Sequence, residues 1–262
     1  MNTLEMRWGC FYVKIYSLIK QAWEDNLMTN EIILAVTLTV EYSALILFHR
    51  LFGKSGLYIW TSIATIAANI EVLILVRAFG MEMTLGNILF ASTFLVTDIV
   101  SELYGKQDSK KAVKIGIATS VAFVAISSSW LLYLPAAGDF VSPSIKTIFS
   151  NTPRLMLASL TVYAVVQFID VWLYHAWWAL TEKAVGDKKR FLWLRNNGST
   201  LLSQFLNSVL FNFLAFWKVY DNHTIMNIII SSYVIFIVTS IADTPFVYIC
   251  RYFHEKKSLS QN

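Results

Sequence analysis

Charge is scarce in this sequence. Asp, Glu, Lys and Arg make up 15% of its 262 residues against 56% hydrophobic residues, and a soluble domain of that length needs far more polar surface to cover its core. That balance excludes an ordinary water-soluble enzyme or binding module. Cysteine is scarcer still. Cys10 and Cys250 lie near opposite ends of the chain, which suggests neither a disulfide framework nor a metal site. No G-x-x-x-x-G-K phosphate loop, no H-E-x-x-H and no G-x-S-x-G occurs, so the motifs of ATP coupling, zinc hydrolysis and serine nucleophiles are all missing. No small-residue cleavage site follows the first apolar run, which argues against a cleaved signal peptide. The net charge of +4 is small, and its bases sit where membrane topology would place them rather than in a nucleic-acid patch.

Long apolar runs fill the space left by these absences. A bilayer core about 30 Å thick is crossed by about 20 helical residues, and stretches of that length recur near residues 32–52, 57–80, 84–105, 112–136, 155–181, 199–219 and 224–250. The expected fold is therefore all-α, a polytopic integral membrane helical bundle with a six-span core and an additional N-terminal span, about seven transmembrane helices in all. Residues 1–30 read as an interfacial segment, since the apolar part of "WGCFYVKIYSLIK" is too short to span. Residues 31–254 form the transmembrane domain and 255–262 a tail. Two thirds of the 21 lysines and arginines fall on one side if seven spans alternate, which places the loops after spans one, three and five, and the C-terminus, in the cytoplasm. "LPAAGDFVSPS", residues 134–144, then marks an outward-facing loop.

Acids within the spans carry the functional signal. A carboxylate at the bilayer centre costs about 2.5 to 3.5 kcal/mol on insertion scales, so such residues face an interior cavity or a partner. Glu41, Glu71, Asp98, Glu102, Asp170 and Asp243 lie in or near spans, with almost no lysine or arginine at similar depth. Asp98 and Glu102 are four apart and share one helical face. Asp98, the deeper, reads as a cavity residue, whereas Glu102 is divided between that cavity and a local contact with Lys106. "QFIDVWLY" at 167–174 echoes "QFLNSVLF" at 204–211, matching Gln167 and Asp170 with Gln204 and Asn207. Such repeats build midplane sites in transporters, though amides also serve as interhelical glue. In "RNNGSTLLSQ", Gly198 and Ser199 read as a break and N-cap opening the sixth span. Arg195 just before them reads as part of a cap at the cytoplasmic end or of a polar ligand site.

"FLVTDIVSELYG", "VQFIDVWLY", "RNNGSTLLSQFLNSVLFNFLAFW" and "DTPFVY", in that order between residues 57 and 252, resemble the signatures of the VUT (vitamin uptake transporter-like) family, the queuosine precursor transporters. The resemblance implies a multi-pass bacterial inner-membrane carrier of 7-deazaguanine bases, and it matches Asp98, Asp170 and Arg195, with Ser199 and Thr200, to positions of the family's motifs; with Glu102, Gln167, Gln204 and Asn207 from the residue pattern, Asp98, Asp170 and Arg195 make up the candidate base-binding set. The chain departs from the family at Asn207, where many members have Asp, and at Ile235 and Phe236, where a Lys is common. A 7-deazaguanine offers a ring N–H beside an exocyclic amine, which one carboxylate accepts as a two-point contact, and a carbonyl oxygen that a side-chain amide can meet. Aromatic rings among Trp172, Tyr174, Trp177, Trp178, Phe211, Phe216 and Trp217 offer stacking surfaces. The expected partners are this small base and the lipid bilayer, with no nucleic acid, no cofactor and no metal. Self-association is left open, as are facilitated, ion-coupled and partner-energised uptake. The rivals are an aspartyl-type intramembrane hydrolase, built on Asp98 and Asp170, and a scaffold that transports nothing.

Overall fold

The computed structural model describes residues 29–150, 153–187 and 190–259. The N-terminal segment expected to lie in the interface falls almost wholly outside them. Eight helices appear among the described residues: α1 (Asn30–Phe52), α2 (Lys54–Glu71), α3 (Gly86–Tyr104), α4 (Lys106–Trp130), the short α5 (Ser142–Ser150), α6 (Pro153–Val185), α7 (Leu192–Phe216) and α8 (Asn222–Leu259). Six are long and apolar enough to cross a membrane, namely α1, α3, α4, α6, α7 and α8. The all-α polytopic bundle is thus observed. α2 occupies the expected second-span position but is only 18 residues long. Its inward face carries Thr61, Thr65 and Asn69, all buried against neighbouring helices, and these lower its hydropathy without exposing polar groups to lipid.

The second span departs most from expectation. A single helix over 57–80 is replaced by a helix ending at Glu71 and an antiparallel hairpin of β1 (Leu75–Ala78) and β2 (Met81–Thr84). A short apolar run does not distinguish strand from buried helix by periodicity alone, and the β-branched, alternating segment after Glu71 took the strand solution. Phe79 and Gly80 form its two-residue turn, both at positive φ (52° and 72°), as a turn matched to strand twist requires. The Phe79 N–H donates to Glu31 Oε1 at 2.7 Å, fastening the turn to the start of α1. The loop around 134–144, expected to face outward, is non-helical to Val141 and then becomes α5.

α3 is the axis of the bundle. Fifteen of its 19 residues are buried, and it contacts α1, α2, α4, α6 and α8. Tyr42, Leu57, Trp60, Leu95, Ile99 and Val247 belong to the main apolar cluster, which joins α1, α2, α3 and α8. Close approach elsewhere depends on missing side chains, because lipid-facing helices gain little hydrophobic drive from association and rely on tight packing. A Cβ at Gly116 of α4 would sit 2.0 Å from the Tyr163 hydroxyl of α6. The connections sort into two ends. Gly53, Gly105, Gly186, Phe191 and the C-terminal part of α8 gather at a basic end, where His49, Tyr104 and His254 pack together. The hairpin, α5 and the α7–α8 link lie at the other.

Candidate functional site

α7 is amphipathic in an unusual sense, since its polar stripe points inward. Asn196, Ser199 and Thr200, Ser203 and Gln204, and Asn207 and Ser208 recur at three- and four-residue intervals, which aligns them on one face. All are 5% exposed or less. The expected break at Gly198 is absent, because α7 runs unbroken from Leu192. Gly198 is instead a packing residue: a Cβ there would meet the Trp177 indole at 3.0 Å. Ser199 caps nothing. Its hydroxyl donates back to the Arg195 and Asn196 carbonyls at 2.8 and 3.1 Å, so no row of open backbone N–H groups exists at that point.

Three aspartates from three other helices lean on this stripe. Thr200 donates to Asp98 Oδ2 of α3 at 3.0 Å, Ser203 to Asp170 Oδ1 of α6 at 2.7 Å, and Asn196 Nδ2 to Asp243 Oδ1 of α8 at 2.8 Å. The acids are at most 1% exposed. None of the three is in an ion pair among the described residues. Asp98 Oδ1, Asp170 Oδ2, Asn196 Oδ1, Ser208 Oγ and both amide atoms of Gln204 have no hydrogen-bond partner among the described residues. Leaving one buried polar group unsatisfied costs about 1 to 3 kcal/mol, so a cluster of them is expensive unless something else bonds to it. The arrangement can accept several N–H donors and offer one amide N–H pair in return.

The seven sequence-predicted residues separate into three groups. Asp98, Asp170 and Gln204 come together as described. Gln167 lies beside them but its amide is engaged, with Nε2 donating to Thr93 Oγ1 at 2.7 Å and Oε1 accepting from Thr97 at 3.3 Å. Asn207, one turn further along α7, lines a cavity of about 30 Å³ with Asn87, Phe90, Ser159 and Phe211. Beyond it, sharing Val72, a vestibule of about 530 Å³ opens between the hairpin, α5 and the α7–α8 link, with Phe216 and Tyr220 among its walls.

Glu102 and Arg195 form the third group, and they bond to each other. Arg195 Nη2 reaches both Glu102 oxygens at 2.7 Å and Nε reaches Oε2 at 3.0 Å. Arg251 Nη1 adds a contact at 3.2 Å and the Tyr174 hydroxyl donates at 2.9 Å. The guanidinium also lies 4.5 Å over Trp178. Lys106, expected as a partner of Glu102, forms no ion pair with it; the cations on Glu102 are Arg195 and Arg251. Arg195 is a fully buried cation spent on Glu102, whereas Asp98, Asp170 and Asp243 have no cation partner among the described residues. Asn196, Ser203 and Asp243 also belong to the cluster, beyond the seven candidates, as does Thr200, which only the resemblance marks. The three-and-four spacing along 196–208 was the available signal, and Asp243 was visible only as one more intramembrane acid.

Comparison with known proteins shows the family. Residues 84–250 match the family described as "Putative vitamin uptake transporter". A Bacillus subtilis (strain 168) protein named "Probable queuosine precursor transporter" is 34% identical over 209 residues, which cover 80% of this chain and 89% of that protein. An Escherichia coli (strain K12) protein named "Queuosine precursor transporter" is 24% identical over 152 residues, 58% of this chain and 63% of that protein. No solved structure matches the chain significantly. The family match covers more than half of the sequence and every residue of the polar cluster, so this multi-pass bacterial membrane protein belongs to the vitamin uptake transporter family, as a transporter and not an enzyme.

Proposed function

We propose that the protein imports a queuosine precursor, a 7-deazaguanine base such as 7-cyano-7-deazaguanine, its aminomethyl derivative or queuine, and binds it in the polar cluster around α7. The observation that carries this reading is the set of unpartnered buried atoms on Asp98, Asp170 and Gln204. A carboxylate that already accepts one hydroxyl still has lone pairs for an N–H, and the ring N–H and exocyclic amine of the base supply two donors side by side. Gln204 then turns its N–H₂ toward the base carbonyl. The names of the two relatives favour the same cargo.

Passage follows from the distribution of space. The vestibule of about 530 Å³ falls within the range of about 300 to 1,000 Å³ that holds small molecules. The cavity at Asn207, about 30 Å³, has room for a water or two and no more. A base therefore enters from the hairpin end, pauses in the vestibule against Phe216 and Tyr220, and reaches Gln204 only when the Phe90–Phe211 constriction widens. Burial in the cluster strips water from the base, and the fixed acceptors replace that water at no further cost of orientation.

Complementation tests the reading. The chain is expressed in a bacterium that neither makes nor imports queuosine precursors, each precursor is supplied at low concentration, and tRNA is assayed for the modified nucleoside. Restoration with at least one precursor is expected. No restoration with any of them, despite membrane insertion, overturns the proposal.

A further inference from the structure

We infer that Glu102, Arg195 and Arg251 form a gate that closes the path between the polar cluster and the basic end of the bundle, and that neither Glu102 nor Arg195 binds the transported molecule. The inference rests on the transport reading above and adds to it which residues close the site, and on which side. Four observations converge. Arg195 stands on α7 one residue before Asn196 and one turn from Ser199 and Thr200, directly between the cluster and the end of the helix. Its guanidinium is engaged at four of its five N–H groups, with Glu102 taking three of the bonds, the Arg190 carbonyl one at 3.0 Å, and the Trp178 ring covering it. A group so engaged offers a ligand little, in contrast to the open valences on Asp98, Asp170 and Gln204. Finally, the pair ties together four elements at one end: α3 through Glu102, α7 through Arg195, α8 through Arg251 and α6 through Tyr174.

Space is distributed in agreement with this assignment. Both the small cavity at Asn207 and the large vestibule lie on the hairpin side of Gln204. A carrier that released its cargo at the basic end must separate α3 from α7 there, and Glu102–Arg195 joins them on the basic side of the Asp98–Thr200 bond. Gly105 follows Glu102 by three residues and links α3 to α4 at φ 88°, a conformation glycine adopts without strain, so the α3 end can swing while α4 stays in place. Asp108, which follows, is held by Lys54 at 3.0 Å and by the Tyr58 hydroxyl at 3.0 Å. Those contacts keep α4 on α2, so opening at the α3 end also requires the Tyr104–His49 bond to α1 and the Ser109–Thr97 bond to α4 to yield. Breaking a desolvated, bidentate pair is costly, and rewetting of the freed charges from the cytoplasm offsets that cost once the gap admits water.

Accessibility of a thiol beyond the gate provides the test. In full-length protein carrying Cys10→Ser and Cys250→Ala, the substitution Ser199→Cys places a near-isosteric thiol just behind Arg195. A membrane-impermeant thiol reagent is applied to inside-out and to right-side-out vesicles, in parallel with Glu102→Gln, Arg251→Gln and the conservative Glu102→Asp. Glu102→Gln is expected to speed labelling from the basic side by about tenfold, the scale of a two-state element losing one strong contact, while leaving the concentration of precursor that half-saturates uptake unchanged. Glu102→Asp should restore slow labelling. Unchanged labelling in Glu102→Gln, or faster labelling from both sides alike, overturns the gate. A rise in the half-saturating concentration with unaltered labelling would return Glu102 to the binding site and overturn it too. Loss of uptake by every precursor in the parent protein would instead count against the transport reading, and the labelling pattern is scored without it.

Discussion

At the residue scale, the molecule separates groups whose polar atoms are used up from groups whose atoms are open, and substitution should expose the difference. Asp98→Asn and Asp170→Asn keep an acceptor for Thr200 and Ser203 but lose the charge that receives a donor pair. A hydrogen bond to a charged group is worth about 1.5 to 3 kcal/mol, so each should reduce low-concentration uptake by about ten- to a hundredfold with normal membrane levels, as read by initial rates in cells. Gln204→Leu and Gln167→Leu should diverge more informatively. Gln204 has no partner to lose, so its replacement should leave thermal stability in nanodiscs unchanged or raised while abolishing uptake. Gln167 is bonded to Thr93 and Thr97, and its replacement should cost about 0.6 to 2 kcal/mol of stability, the range for interhelical contacts in membrane bundles. Equal melting shifts for the two would contradict the division. Sequence spacing made Asp98, Asp170 and the glutamines visible because depth and periodicity are local properties. It did not show that Glu102 finds Arg195, since 93 residues separate them and only the packed helices bring them together.

At the element scale, capping decides what happens where helices meet water. Asp221 at the start of α8 accepts from the His223 and Thr224 N–H groups at 2.9 and 3.1 Å and from the Thr224 hydroxyl at 2.6 Å, and these bonds, the Thr224 hydroxyl first, hold its carboxyl below the usual range. Asp139 before α5 is lowered in the same way by the Ser142 hydroxyl and the Val141 and Ser142 N–H groups. A lowered folded-state pKa means a contribution present above the ordinary carboxylate value, about 3.9, and lost as pH falls through the folded value. Protection of the His223 and Thr224 amides, measured relative to intrinsic exchange at each pH, should therefore hold steady at neutral pH and fall as pH drops below about 4, and Asp221→Asn should remove that pH dependence. Helix lengths were largely legible for the same reason the caps were not: hydropathy averages over a window, whereas a cap is one residue. The hairpin escaped because its apolar strands continue the hydrophobicity of α2, and the unbroken α7 escaped because Gly198 reads as punctuation until Trp177 is seen packed on it.

At the scale of the whole molecule, the basic residues and the packing agree on a polarity that can be measured. Chain alternation through seven helices brings Gly53, Gly105, Gly186, Phe191 and the end of α8 to one end, and the positive-inside bias assigns that end to the cytoplasm. Two exposed positions separate the alternatives. Gly138 lies in the opposite loop with no atom within 4 Å of an added Cβ, and Lys183 is exposed near the basic end of α6. In protein lacking Cys10 and Cys250, Gly138→Cys should react with an impermeant reagent in intact spheroplasts, and Lys183→Cys only after the membrane is inverted or opened. The reversed pattern would place the vestibule on the cytoplasmic side, and the same cavities would then describe an exporter's point of loading. Lys110→Ala provides the control for how the bias works: Lys110 has no described bond to the cluster, so uptake and labelling should both be unchanged if the lysines act only collectively on topology. A loss of uptake there with normal sidedness would show that the basic end takes part in release, and the gate at Glu102 and Arg195 would then need a cytoplasmic extension through α4.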